Sequence, residues 1–104
     1  MIPNNLRSDP IKTKRIARTM KYLGHPVRLM IVELLIDQGA MPVKEIYEAV
    51  GISQSNASQH LRTLETAEIL YSERKGTSIF YRINNPGVPN LLQCAYQTTL
   101  GEEI

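Results

Sequence analysis

The chain has few of the residues that staple or anchor a small protein. Its 104 residues include one cysteine and two histidines. A single thiol cannot close an internal disulfide, and one cysteine with two histidines cannot complete a zinc finger. The longest unbroken apolar run covers only residues 29–32, whereas a bilayer-spanning helix needs roughly 20. The opening MIPNNLRSDP has no apolar stretch of the kind a signal peptide requires. An excess of charge is also missing, since 12 Lys and Arg against 10 Asp and Glu leave a formal +2. That balance is compatible with a nucleic-acid partner and does not demonstrate one. What remains, 42% hydrophobic and 21% charged residues, is ordinary globular composition and excludes a disordered chain. A chain of this length makes one domain and buries about two-thirds of its unfolded surface. The expectation is a small, reduced, cytoplasmic domain that does not enter a membrane.

Residues 1–10 are polar, contain Pro3 and Pro10, and read as a flexible N-terminal arm before a folded domain at 11–104. A helical period begins at Lys12, with Ile16, Met20 and Leu23 at i, i+4 and i+7. The opposite face carries Lys14, Arg18 and Lys21, a stripe that reads as solvated surface. Gly24 ends this helix. Pro26 stands where a first-turn proline is tolerated, behind His25 as N-cap. The following VRLMIVELLI is apolar on nearly every side, which predicts a central, buried helix closed by Gly39. Pro42 is expected to open a short helix with Val43, Ile46, Tyr47 and Val50 on one face. Gly51 suits a left-handed cap, and Ser53 is a good N-cap for the next helix. Two short helices joined by a tight glycine-containing turn make a helix-turn-helix.

The second of those helices carries the most informative face in the chain. Ala57, Leu61 and Leu64 point inward, while Ser55, Ser58, Gln59 and Arg62 lie opposite. A merely solvated face is usually rich in Glu and Lys. Gln pairs bidentately with adenine, Arg with guanine, and Ser reaches a base edge or a phosphate. Residues 70–84 then read as a β-hairpin turning at Lys75-Gly76-Thr77, with Ile79, Tyr81 and Ile83 alternating with Phe80 and Arg82. Arg74 and Lys75 make its tip basic. Edge protection explains two such charges by themselves, but not their position after a recognition-like helix. The fold class is therefore mainly α with a small β-hairpin: a winged helix-turn-helix of four helices, two strands and a fifth helix.

The runs GHPVRLMIVELL and ISQSNASQHLRTLETAEILYSERKGTSIFYRI resemble the ArsR/SmtB family of bacterial winged-helix repressors, across about residues 12–100. The resemblance implies a homodimer that binds a palindromic double-stranded DNA operator and represses its own operon. It assigns base-facing positions to Gln54, Ser55, Ser58 and Gln59, and wing contacts to Arg74 and Lys75. His60 matches a family histidine, but helical geometry turns it toward the core, which favours packing or a phosphate contact. The resemblance also makes absences informative. Where metal-sensing members carry Cys-x-Cys, this chain has Pro42-Val43-Lys44, and residues 88–100 contain no Asp, His or Glu. Glu102 and Glu103 beyond them read as a solvated pair. No cofactor and no metal is expected, and the effector stays unassigned.

The ends are expected to build the dimer. In the last helix Val88, Leu92, Ala95, Tyr96 and Thr99 cluster on one side, Leu91 and Leu100 widen that stripe, and Ile16 and Met20 of the first helix join it in the apolar interface. Cys94 falls on a flank of that helix with Leu91 and Thr98, without a Lys, Arg or His at i±3 or i±4. It reads as a small, partly buried hydrophobe, the alternative being a thiol sensor near the interface. Two other functions stay open. A winged helix can serve purely as a protein-interaction module. An enzyme is disfavoured because no acid, base and nucleophile cluster together.

Overall fold

The computed structural model describes residues 5–97. Thr98, Thr99, Leu100, Glu102 and Glu103 therefore lie outside the described residues. The helices begin where a side chain can satisfy otherwise orphaned amides. Asn5 caps a 3-10 turn, Leu6–Ser8, and Asp9 accepts from the Lys12 amide at 3.0 Å to start α1, Pro10–Leu23. Within the arm expected over 1–10, residues 5–9 form this capped turn, and Pro10 already belongs to α1. His25 Nδ1 accepts from the Val27 amide at 3.1 Å and opens α2, Pro26–Gln38.

A two-residue strand β1, Met41–Pro42, separates α2 from α3, Val43–Val50. Pro42 does not open α3, as the sequence suggested, but occupies its N-cap position in extended conformation. Gly51 takes φ 81° and ψ 35°, the left-handed cap that L-residues resist. Ser53 then caps α4, Gln54–Thr66, by accepting from the Asn56 amide at 3.2 Å. Strands β2, Leu70–Lys75, and β3, Ser78–Ile83, form the hairpin, and α5, Val88–Gln97, closes the described chain.

The sheet has three antiparallel strands in the order β1-β3-β2, not two. Met41 pairs with Tyr81 and Pro42 with Phe80, while β2 and β3 run in register from Leu70↔Ile83 to Lys75↔Ser78. Proline is admissible in β1 because an edge strand leaves one side of its backbone unpaired.

One core joins these elements. Ile31, Val32 and Leu35 of α2 meet Ile46 of α3, Leu61 and Leu64 of α4, and Ile69 and Leu70 at the start of the wing. Val88 of α5, 1% exposed, also enters it, so this residue is core and not interface. The expectation that α2 is buried on all sides fails on one face, where Leu29 and Met30 are 40% and 47% exposed. That face borders α5, with Leu29, Met30 and Ile36 lining a groove of about 710 Å³ against Leu92, Ala95 and Tyr96.

Candidate nucleic-acid interface

The short α3 and the glycine turn fix the approach of α4, and three side chains seat it. Ala57, Leu61 and Leu64 are fully buried, leaving the opposite side of the helix in solvent. Ser55, Gln59 and Arg62 occupy that side and are exposed. Gln54, the first residue of the helix, is exposed beside the Ser53 cap. Ser58 is half-buried on the flank, so the expected outward quartet is a trio with Ser58 at its margin. Ser53 and Ser55 hydroxyls lie 3.3 Å apart, within hydrogen-bonding reach at the helix N-terminus.

The wing stands beyond the other end of α4. Gly76 at φ 65° and Thr77 form a two-residue turn, so Lys75 belongs to the strand and not to the turn. Arg82 holds Glu73 at 3.4 Å and donates to the Tyr71 hydroxyl at 3.1 Å. These contacts occupy the one carboxylate of β2. Arg74 and Lys75 remain exposed at the tip, with the Lys75 ammonium 5.3 Å from the Phe80 ring centre. The hydrogen bond to Tyr71, its largest influence, together with Glu73 raises the pKa of Arg82 further above its already basic value.

Polar contacts tie α4 to the rest of the domain. Ser72 donates to Glu65 at 2.6 Å on one flank, and Arg28 Nε donates to His60 Nδ1 at 3.1 Å on the other. At the C-terminal end, Arg18 donates to the Thr66 carbonyl at 3.3 Å. Arg18 is therefore a structural contact of α4 and not simply part of a solvated stripe. His60 is half-buried among these contacts, which accords with its place on the core-facing flank. Arg28 was not among the residues singled out from sequence. Its only signal was that a charged residue interrupts an apolar helix.

Of the interface candidates, Ile16, Met20 and Leu91 line one small cleft between α1 and α5. Leu92, Ala95 and Tyr96 turn instead to the groove with α2. Met20 is 53% and Tyr96 81% exposed. Cys94 is exposed, not tucked into a helix contact. Among the described residues, no group of three or more His, Cys, Asp and Glu side chains gathers where a metal ion could be held. No described helix is long and apolar enough to cross a membrane.

A capped helix with an outward hydrogen-bonding face, preceded by a short helix and a glycine turn and followed by a basic-tipped hairpin, defines a winged helix-turn-helix of the DNA-binding kind. A family model described as a helix-turn-helix domain matches residues 23–72. The biofilm growth-associated repressor of Xylella fastidiosa (strain Temecula1) is similar at 34% identity over 96 residues, covering 91% of this chain and 83% of that one. The transcriptional repressor PagR of Bacillus anthracis is 36% identical over 77 residues, covering 74% of this chain and 77% of its own. The PagR crystal structure superposes with a TM-score of 0.77 at 32% identity, covering 84% of this chain and 99% of that chain. The homodimeric winged helix-turn-helix domain Mb0332 of Mycobacterium bovis, described as a possible ArsR-family regulator, gives 0.76 at 30% identity, covering 93% and 88%. The chain belongs to the ArsR/SmtB family of winged helix-turn-helix transcriptional repressors.

Proposed function

We propose that two copies of this chain form a dimer that binds a palindromic operator and represses transcription from it. The observation that carries this reading is the outward face of α4, where Ser55, Gln59 and Arg62 are exposed above a fully buried apolar seat. In the proposed complex α4 enters the major groove. Gln54, Ser55, Gln59 and Arg62 meet base edges, and Ser58 meets the groove wall. Arg74 and Lys75 of each wing follow the phosphates or the adjacent minor groove. Two protomers joined through α1 and α5 space the α4 helices by about one turn of DNA or a small multiple. Ile16, Met20 and Leu91 form the centre of that contact, with Leu92, Ala95 and Tyr96 toward its edge. The homodimeric state of the Mycobacterium bovis relative supports the assembly.

Replacing Gln59 with alanine tests the reading. Operator binding should weaken by about 1–3 kcal/mol, while binding to random-sequence duplex changes little. Equal losses on both duplexes would mean that α4 does not read sequence. If neither duplex binds with a steep salt dependence, the domain is a protein-interaction module instead.

A further inference from the structure

Ala57, Leu61 and Leu64 seat α4 on the core along one buried row. Polar contacts on its two flanks are directional and resist rotation of the helix about its own axis. Glu65 holds one flank through Ser72 of β2 and Tyr81 of β3. The other flank depends on His60, whose Nδ1 accepts from Arg28 Nε at 3.1 Å. The same guanidinium donates through Nη1 to the Tyr22 carbonyl at 3.2 Å, in the last turn of α1. Arg28 thereby links α1, α2 and α4 through one planar group.

We propose that Arg28 and His60 are positioning residues for operator recognition, their hydrogen bond setting the rotation of α4, so that a proton taken up by His60 releases the helix and weakens operator binding in acid. This rests on the reading of α4 as the recognition helix. A ring that accepts at Nδ1 must be neutral and carry its hydrogen on Nε2. Protonation sets an N–H of the ring against the N–H of Arg28, which is a repulsive contact between two donors and two positive charges. The His25 ring lies 4.6 Å from the His60 ring, centre to centre, and its own Nδ1 accepts from the Val27 amide. Burial, then His25, then Arg28 all push the pKa of His60 below the usual 6.5. From α1 the clamp receives the Tyr22 carbonyl, while Arg18 and Lys21 lie over the Tyr22 ring. From α3 and β2, which also pack on α4, no charge shifts His60, and Glu65 of α4 itself is engaged by Ser72.

The chain has only two histidines, and both stand in this cluster, so replacing each in turn separates the two rings. The sign is diagnostic. Added positive charge by itself tightens binding to a polyanion, whereas a released α4 loses discrimination. The probes are the tightest duplex that the wild-type protein selects from a random pool at about pH 7.5, and the random pool itself. The ratio of the two affinities should fall about tenfold from about pH 7.5 to about pH 5, the size expected for one lost partly buried hydrogen bond.

His60→Asn presents an amide oxygen where Nδ1 stands and does not titrate, so its ratio should be flat with pH. His25→Asn keeps a good N-cap for α2 and should retain the fall. Arg28→Lys keeps the charge but cannot serve Tyr22 and His60 together, so it should lower the ratio at about pH 7.5 and flatten the profile. A wild-type ratio independent of pH overturns the proposal. So does a fall that persists in His60→Asn, or one that disappears in His25→Asn. Imidazole and α4 amide NMR shifts, followed through the same titration without DNA, test the clamp separately. If those shifts move together while Gln59→Ala leaves the ratio unchanged, the clamp stands and the recognition reading fails.

Discussion

Glu68 is the one non-glycine residue at positive φ among the described residues, at 63°. It follows the last turn of α4, where the Ile69 amide donates to the Leu64 carbonyl at 3.0 Å and the Glu68 amide to Glu65 at 2.9 Å. That is the left-handed helix ending that glycine adopts without the clash of a Cβ. The Glu68 carbonyl accepts from Asn84 Nδ2 at 3.0 Å, a backbone contact that a glycine keeps. Glu68→Gly should therefore raise the unfolding free energy by about 0.5–1 kcal/mol, read as a higher urea midpoint at unchanged slope. A lower midpoint would mean that the Glu68 side chain contributes more than the strain removes. Nothing in the sequence marked this position, because a left-handed residue is recognisable beforehand only when it is glycine or asparagine. Arg28 was hidden for a related reason: its partners, Tyr22 and His60, lie six and 32 positions away.

At the scale of elements, the helices declared themselves through caps and periodicity. His25, Gly51 and Ser53 all perform the capping roles that their chemistry suits. The strand β1 was invisible, since two residues are too few to show a period and Pro42 argues against a strand. Only its pairing with Tyr81 and Phe80 makes Met41–Pro42 a strand at all. The hairpin was legible because its alternation runs the length of β3 and Gly76 supplies the positive-φ turn residue. Its charge distribution yields a prediction. Arg82 pairs with Glu73 across the two strands, which leaves Arg74 and Lys75 as the positive charge of the tip. Replacing both with glutamine should weaken every duplex sequence alike. In a dimer it should also reduce the salt slope of binding by up to about four, if each side chain meets one phosphate. An unchanged slope would remove the wing from the interface.

At the scale of the whole molecule, apolar side chains remain outside the core on two sides of α5. Ile16, Met20 and Leu91 line the cleft toward α1, and Leu29, Met30, Leu92 and Tyr96 the groove toward α2. A lysine at Met20 or Leu91 should leave the protomer folded, since neither side chain is fully buried. It should shift the sedimentation coefficient from dimer to monomer at micromolar protein and abolish high-affinity operator binding. Retained dimers in both variants would move the contact elsewhere on the surface.

What the sequence by itself determined is the order of the helices, the glycine turn before α4, the hairpin after it and the polar composition of the outward α4 face. Each follows from local rules, in which neighbours within about one helical turn or one strand pair set conformation and exposure. Only the tertiary structure decided that α2 leaves Leu29 and Met30 in solvent and that Val88 fills the core. It likewise decided that Ser58 sits half-buried and that Arg28 reaches across to His60. Those outcomes depend on which element packs against which, and a helix apolar on nearly every side carries no periodic mark of the face its neighbours will leave uncovered.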